Sequence, residues 1–536
     1  MEPKCHTFDL YLALSLVLLT LSLGYVLMVP GICGVYHDDA IYVIIAKALA
    51  QGDGYRLINL PQAPFQTKYP IVFPALLAVI WKLWPTFPGN VAAMQWLTLS
   101  SAGVFVGLTY LYLVTWGYAT RPVAFLAGML TATSPVFLYY GTLTLSEMPF
   151  SCLMVAALFA LERHLVSPVN SRLWQLGLGV VLSLPYLTRA IGVVFIPAAL
   201  AVIFLRRRPV FWVAAGIVAA SAPWTLWSIL APKASESIVT GWYTNYLSWW
   251  QFSSGLSMQA EIFCTNLMLT CLNLVGYGLV VLFQIFNGKA LAWIGIALFG
   301  LLSLIFLVKE LRYRPVLPAF MVSYLLLTLV WPWPPNRRLI VILPFLLAFL
   351  LQAILCLISL IPKLGKQRLL GVMCALLLVS TNLVMVQRNY QFNRYSHYPY
   401  LHVPETPVAW SSYQEIFRWV KENTRPSEVI AYGFDSMLYL YTGRQGFRPF
   451  VMRPETLFYG QESPTSGVSE LRKFLEVYRP GFLINSPMPE FGEEKPFTAL
   501  LQEVQERYPG WLQTVYQGAD SRFVIFKIQP HLAPPG

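Results

Sequence analysis

The chain has 536 residues, of which 57% are hydrophobic and only 12% are charged, and its formal net charge is +12. Soluble domains carry about 25% charged residues, so this composition excludes an ordinary soluble protein and indicates a polytopic membrane protein. The excess positive charge lies in residues 1–387, which hold 22 basic and 10 acidic residues, whereas residues 388–536 hold 15 of each. This distribution is typical of basic membrane loops and not of a nucleic-acid-binding surface.

Long apolar runs along residues 1–387 predict the membrane helices. The first run is about 20 residues long, enough to cross a bilayer, and is expected to be retained rather than cleaved. Two further apolar segments, 69–84 and 266–286, are predicted to lie in or dip into the outer membrane interface, although thirteen spans remain an alternative. The eleven predicted spans are 10–30, 91–115, 122–140, 148–165, 173–188, 191–205, 210–230, 290–308, 316–333, 339–361 and 369–387.

Basic clusters in short loops predict the orientation of these spans. The clusters at 206–208, 309–314 and 363–368 should all be cytoplasmic, because basic residues are enriched in cytoplasmic loops. Placing all three inside requires eleven crossings, a cytoplasmic N-terminus and an extracytoplasmic C-terminal part. The expected location is the cell membrane.

After Gln387 the composition changes to tyrosine, proline and balanced charges. Trp410–Asn423 has the periodicity of an amphipathic helix, Glu470–Tyr478 is predicted to be another helix, and Glu428–Tyr432 and Ser521–Ile528 have the pattern of strands. The predicted fold is therefore an all-α polytopic membrane domain, residues 1–387, followed by a small extracytoplasmic α/β domain, residues 388–536.

The predicted outer turns hold four of the ten acidic residues of residues 1–387, Asp38, Asp39, Asp53 and Glu147, and three of these are candidate site residues. Asp38 and Asp39 follow the first span, and Glu147 lies between two later spans. An ionisable group at the edge of a bilayer is a functional candidate by default, and one of the two aspartates could act as a general base on a hydroxyl. The pair could equally cap a helix starting near Ala40. Glu147 could orient an acceptor, help to hold a divalent cation, or simply begin a helix.

Four basic residues also lie in the predicted outer turns, against the usual charge bias: Lys68, Arg189, Arg337 and Arg338. They could bind a phosphate or neutralise a phosphate leaving group, or they could anchor at lipid headgroups. The sequence contains no nucleotide-binding motif, so a sugar donor, if there is one, is not expected to be a nucleotide sugar in a Rossmann-type domain. The cysteines and histidines suggest no metal site.

The order and spacing of several short motifs resemble those of the integral-membrane glycosyltransferases that use polyprenyl-phosphate sugars, the GT-C superfamily. That superfamily includes the protein O-mannosyltransferases, the lipid A aminoarabinose transferases and the lipopolysaccharide-core galacturonosyltransferases. The motifs are Asp38-Asp39 after the first span, Lys68-Tyr-Pro70 before an apolar helix, Ser134-Pro135, Ser146-Glu-Met-Pro149, Leu187-Thr-Arg189, and Arg337-Arg338 before Ile342-Leu-Pro344.

The resemblance implies an inverting single displacement on the outer face, from a polyprenyl-phosphate sugar to a hydroxyl acceptor in the cell envelope. Asp38 or Asp39 would be the base and Glu147 the second acidic residue. Lys68, with Arg337 or Arg338, would hold the lipid phosphate. The competing hypotheses are a lipid-linked oligosaccharide ligase or polymerase and a transporter or flippase. A transporter is less favoured, since it would place its functional charges near the middle of the bilayer.

Overall fold

The computed structural model describes residues 6–166, 171–232, 238–244, 255–278, 289–359, 367–400, 407–450, 454, 458–459, 467–489 and 494–532. Its first part is helical. The helices are α1 (Thr7–Leu27), α2 (Asp38–Gln51), α3 (Val72–Leu83), α4 (Val91–Thr115), α5 (Arg121–Ala132), α6 (Pro135–Thr142), α7 (Glu147–Val166), α8 (Arg172–Thr188), α9 (Phe195–Leu205), α10 (Phe211–Leu230), α11 (Ile238–Thr244), α12 (Leu256–Gly278), α13 (Lys289–Tyr313), α14 (Val316–Val330), α15 (Asn336–Ser359) and α16 (Gln367–Ser396).

Several of these helices are long and apolar enough to cross a membrane. Within the described residues there are six: Thr7–Leu27, Val91–Thr115, Glu147–Val166, Phe211–Leu230, Asn336–Cys356 and Gly371–Ser396. The protein is therefore a multi-pass membrane protein. Each of the eleven predicted spans coincides with a helical segment, but several of these segments are short, and the number that cross the bilayer stays a prediction.

The predicted span at 122–140 is broken in the structure. Helices α5 and α6 meet at a bend of 60°. The cause is local: Pro135 disfavours a helical conformation for the residue before it, and Ser134 is extended, with φ −65° and ψ 120°. The Ser134 side chain then accepts a hydrogen bond from the backbone N–H of Phe137 at 3.4 Å and caps α6, so the chain restarts as a new helix.

Two of the basic clusters meet at one end of the helical part, as expected for loops on the same side. The Arg206 side chain donates to the backbone oxygen of Tyr313 at 3.1 Å, and Arg208 donates to that of Leu165 at 3.0 Å. Leu165 lies in the last turn of α7, whose 20 residues span about 30 Å. Glu147 therefore lies far from these arginines, at the opposite end of α7.

The C-terminal part is a small α/β domain, in which helices and strands are mixed. Its elements are α17 (Trp410–Asn423), β1 (Ile430–Tyr432), α18 (Asp435–Thr442), β2 (Gly446–Phe447), α19 (Val468–Tyr478), β3 (Phe482–Asn485), α20 (Glu494–Arg507), β4 (Leu512–Gln517) and β5 (Val524–Ile528). The strands form one five-stranded sheet with strand order β2-β1-β3-β5-β4, in which β1 pairs in parallel with β2 and β3 and the remaining pairs are antiparallel.

This domain packs against the loops that flank α2. The backbone N–H of Gly446 donates to Asn59 at 3.0 Å, and the Tyr441 hydroxyl donates to the backbone oxygen of Gly31 at 2.8 Å. Gly34 has φ +104°, and a Cβ at this position would lie 2.6 Å from a side-chain atom of Met437. Glycine is therefore required here both by the backbone conformation and by the close approach of α18.

Candidate functional site

Four of the predicted site residues form one connected set of ion pairs, which we call the ion cluster: Asp38, Glu147, Arg189 and Arg337. A guanidinium nitrogen of Arg337 contacts Asp38 Oδ2, and Arg337 Nε lies 3.2 Å from Glu147 Oε1. Arg189 Nη1 lies 2.5 Å from the same glutamate oxygen. The Arg337 guanidinium thus bridges the two carboxylates, and the four side chains lie together.

Helix ends position the ion cluster. Asp38 and Glu147 are the first residues of α2 and α7, and Arg189 follows the last residue of α8. A carboxylate in the first helical turn is stabilised by the positive end of the helix dipole. Glu147 is fully buried, and within the described residues its Oε2 has no hydrogen-bond partner. The ion cluster therefore contains a carboxylate oxygen that is shielded from solvent.

The two neighbouring aspartates point in different directions. Asp38 Oδ1 accepts a hydrogen bond from the Tyr69 hydroxyl at 2.6 Å, and its side chain is 16% exposed. Asp39 is buried, and its two oxygens accept from the backbone N–H groups of Gly34 at 2.7 Å and Tyr36 at 3.1 Å. Asp38 thus belongs to the ion cluster, whereas Asp39 organises the backbone before α2.

Their surroundings shift the pKa values of Asp38 and Asp39 in opposite directions, and they also shift the pKa of Lys68. Burial would raise the pKa of Asp38, but the positive charges of Arg337 and Lys68 outweigh burial and hold that pKa below its ordinary value. Burial raises the pKa of Asp39 to about 6, although backbone hydrogen bonds oppose this shift. Burial lowers the pKa of Lys68 to about 8, against the attraction of Asp38.

The remaining two predicted cations occupy different places. Lys68 is buried, and its Nζ lies 5.4 Å from the ring centroid of Tyr69, the residue whose hydroxyl donates to Asp38. Arg338 instead donates to the backbone oxygens of Trp333 at 2.9 Å and Pro334 at 3.4 Å. Lys68 is therefore beside the ion cluster, while Arg338 holds the loop before α15.

No metal centre is evident in the part of the chain that the structure describes. No group of three or more histidine, cysteine, aspartate or glutamate side chains comes together there. The position between Asp38 and Glu147, where a shared divalent cation would bridge the two carboxylates, is taken by the guanidinium of Arg337.

A second buried polar group, which sequence reasoning missed, lies beside the ion cluster; we call it the junction. His37 Nε2 lies 3.2 Å from Asp435 Oδ1, and the Asn59 amide donates to Asp435 Oδ2 at 2.9 Å. Tyr243 completes it, with its ring 5.7 Å from that of His37 and its hydroxyl accepting from the backbone N–H of Arg448 at 3.1 Å. His37 and Asp435 are 398 positions apart, so no spacing pattern could have revealed the contact.

Comparison with known proteins finds no matching family model and no matching curated protein. Solved structures do match. ArnT from Cupriavidus metallidurans, solved with bound undecaprenyl phosphate, aligns over 99% of this chain and 100% of its own at 13% identity, with a TM-score of 0.54. The chain has the GT-C fold. This finding confirms the resemblance expected from the motifs at the level of the fold.

The same GT-C fold is found in the oligosaccharyltransferase of Archaeoglobus fulgidus. The structure with a tethered acceptor peptide aligns over 98% of this chain and 75% of its own, at 12% identity and a TM-score of 0.57. The complex of the Archaeoglobus fulgidus enzyme AglB with an inhibitory peptide and a dolichol-phosphate aligns over 99% and 75%, at 13% identity and a TM-score of 0.55. At such low identity the likeness concerns the GT-C fold, and function has to be inferred from the site.

Proposed function

We propose that the protein transfers a sugar from a polyprenyl-phosphate donor to a hydroxyl acceptor in the cell envelope, with inversion at the anomeric carbon. The observation that carries the proposal is the contact of Asp38 with Arg337 beside Lys68. A carboxylate that can accept a proton thus adjoins cations that can accept a phosphate. The bound undecaprenyl phosphate and dolichol-phosphate of the two structural neighbours support a lipid-phosphate donor.

The reaction is a single displacement. The acceptor hydroxyl oxygen attacks the anomeric carbon, the bond between that carbon and the phosphate oxygen breaks, and the lipid phosphate leaves. Asp38 accepts the proton of the hydroxyl as the general base. Lys68 and Arg337 stabilise the negative charge that develops on the phosphate, an electrostatic role that is strongest where water is excluded.

Glu147 and Arg189 have a supporting role in this scheme. The Glu147 carboxylate contacts Arg337 at 3.2 Å and Arg189 at 2.5 Å. A planar guanidinium held by two carboxylates has a fixed direction. Arg337 is therefore oriented before the donor arrives, and Arg189 balances the charge of the buried glutamate.

Donor binding would also make Asp38 a stronger base. In the resting protein Arg337 and Lys68 hold the pKa of Asp38 below its ordinary value, which makes it a weak proton acceptor. A bound phosphate would share both cations, and the pKa of Asp38 would then rise. Asp39 has the higher pKa, but backbone amides occupy both of its oxygens, and a base must first be within reach of its proton.

The oligosaccharyltransferase neighbours favour a second candidate, the transfer of a lipid-linked oligosaccharide. The same ion cluster could serve either donor, because both leave a phosphorylated lipid. A flippase is less well supported, since the paired charges lie at helix ends and not in mid-span. In both transferase schemes residues 1–387 form the catalytic membrane domain, and the ion cluster opens to the extracytoplasmic side of the cell membrane.

Purified full-length protein incubated with labelled polyprenyl-phosphate sugars and candidate acceptors tests the proposal. Asp38→Asn should slow transfer by roughly 10²–10⁴-fold, the usual contribution of a general base. Asp53→Asn is the matched control, because it removes an exposed carboxylate just after α2, and it should retain wild-type activity. Transfer by Asp38→Asn at the wild-type rate would exclude Asp38 as the base, and transfer only from a diphosphate-linked oligosaccharide would favour the second candidate.

A further inference from the structure

The residue before Asp38 has a strained backbone conformation. His37 has φ 62° and ψ −56°, and the backbone N–H of Asp38 donates to the backbone oxygen of Tyr36 at 2.7 Å. These values and this hydrogen bond define a classic γ-turn with His37 at its centre, a turn that is rare and strained. A non-glycine residue keeps such a conformation only where its surroundings hold it there.

Two sets of contacts hold the turn. On one side the Asp39 carboxylate accepts hydrogen bonds from the backbone N–H groups of Gly34 and Tyr36. On the other side the His37 side chain, which is 2% exposed, lies 3.2 Å from Asp435 at the first turn of α18. The first set belongs to the membrane part of the chain, and the second depends on the C-terminal domain.

The turn determines where the Asp38 side chain points. The amide of Asp38 closes the γ-turn and Asp38 also begins α2, so a change at His37 would rotate the carboxylate away from Tyr69 and Arg337. A reacting group displaced by about 1 Å can lose two orders of magnitude in rate. Even small movements of this turn are therefore expected to lower the rate of transfer.

We propose that His37 and Asp435 are positioning residues, and that the C-terminal domain holds the γ-turn that aims Asp38 at its substrates. The inference rests on the proposed function of Asp38 as a base. Asn59 fixes the direction of Asp435 by donating to its second oxygen at 2.9 Å. The C-terminal domain thus contributes to the site through a backbone conformation and not through a group that touches the substrate.

Two variants of the full-length protein separate this role from general stability. Asp435→Asn preserves the size of the side chain, but an amide has only one oxygen to accept the hydrogen bonds that His37 and Asn59 now make to two. His37→Gly removes the ring, while glycine accepts the positive φ without strain. Tyr432→Phe is the matched control, because it removes a buried hydrogen bond of the same domain, to Ser486 at 2.8 Å, without touching the turn.

Hydrogen exchange of residues 34–42 and steady-state kinetics are the readouts. Both variants should speed amide exchange in this segment and lower kcat on the order of 10–100-fold, with the donor KM nearly unchanged. The double variant should lose no more than the worse single variant, because both disrupt one contact. Tyr432→Phe should leave exchange in residues 34–42 and kcat at wild-type values.

Several outcomes would overturn the inference. Wild-type exchange in both variants would mean that Asp435 does not hold the turn, and faster exchange with unchanged kcat would mean that the turn does not position Asp38. If Asp435→Asn failed to fold, His37→Gly would decide alone, because it leaves the C-terminal domain intact. If the wild-type protein transferred no sugar, the proposed function would fail, and exchange would still decide whether Asp435 holds the turn.

Discussion

The buried position of Lys68 makes donor binding dependent on pH. Burial lowers the pKa of this lysine to about 8, and only the charged ammonium attracts a phosphate. Raising the pH from 7 to 9 therefore removes the charge that is proposed to bind the donor. The sign follows from the shift: affinity is greatest below pH 8 and falls as the pH rises through that value.

The size of the effect follows from the titration of one group. With a pKa of about 8, Lys68 is about 90% charged at pH 7 and about 10% charged at pH 9. If only the charged form binds, donor affinity should fall about tenfold over this interval, since binding is proportional to the protonated fraction. Asp38 and Asp39 titrate at lower pH, and a phosphodiester donor keeps its single charge throughout.

The assay is direct binding of a polyprenyl-phosphate sugar to the purified protein in nanodiscs between pH 7 and 9.5. Lys68→Arg is the matched control, because arginine stays charged over this range and should flatten the profile. Lys68→Met should bind weakly at every pH. Wild-type affinity that is constant to pH 9.5, or an identical decline in Lys68→Arg, would refute the assignment of Lys68 to the phosphate.

The other basic and acidic residues of this region give distinct expectations. Glu147→Gln should lower the free energy of unfolding on the order of 3 kcal/mol, because it removes one partner of a buried ion pair and leaves Arg189 without its carboxylate; chemical denaturation measures this, and an unchanged midpoint would contradict it. Arg337→Lys should lower kcat at least about tenfold, because an ammonium is not held in one direction between Asp38 and Glu147 as a planar guanidinium is. Steady-state kinetics measures this, and an unchanged kcat would contradict the expectation. Arg338→Ala should leave the donor KM unchanged and cost about 1 kcal/mol of stability through its lost carbonyl contacts; a large rise in KM would place this residue at the phosphate after all.

The membership of the ion cluster could largely be predicted from the sequence. Acidic residues are scarce in residues 1–387, and the predicted topology placed Asp38, Glu147, Arg189 and Arg337 at helix ends on the same side. Buried charged groups are stable only when paired, so the pairing of these four residues is what topology and charge together lead one to expect. The C-terminal helix at Trp410–Asn423 was equally predictable, because its apolar periodicity is clear.

The sequence could not predict which residue of each adjacent pair, Asp38-Asp39 and Arg337-Arg338, belongs to the ion cluster. Adjacent helical positions point about 100° apart, so only one residue of Asp38-Asp39 and one of Arg337-Arg338 can reach the cluster, and the sequence does not say which. In the structure the γ-turn at His37 directs Asp38 into the ion cluster, and the backbone oxygen of Trp333 in the preceding loop binds Arg338 and keeps it outside. The junction with Asp435 depends on a contact across 398 positions and has no local signature.

The charges of the ion cluster bear on the choice between the two candidate donors. Its two carboxylates and two guanidiniums cancel, and Lys68 adds one positive charge. A donor with a single phosphodiester charge would make this set neutral. It would remain neutral after transfer, because the phosphate gains one negative charge while Asp38 gains a proton. A diphosphate-linked donor would bring one more negative charge than these residues balance, and this charge count is a further argument for the proposed donor with a single phosphate.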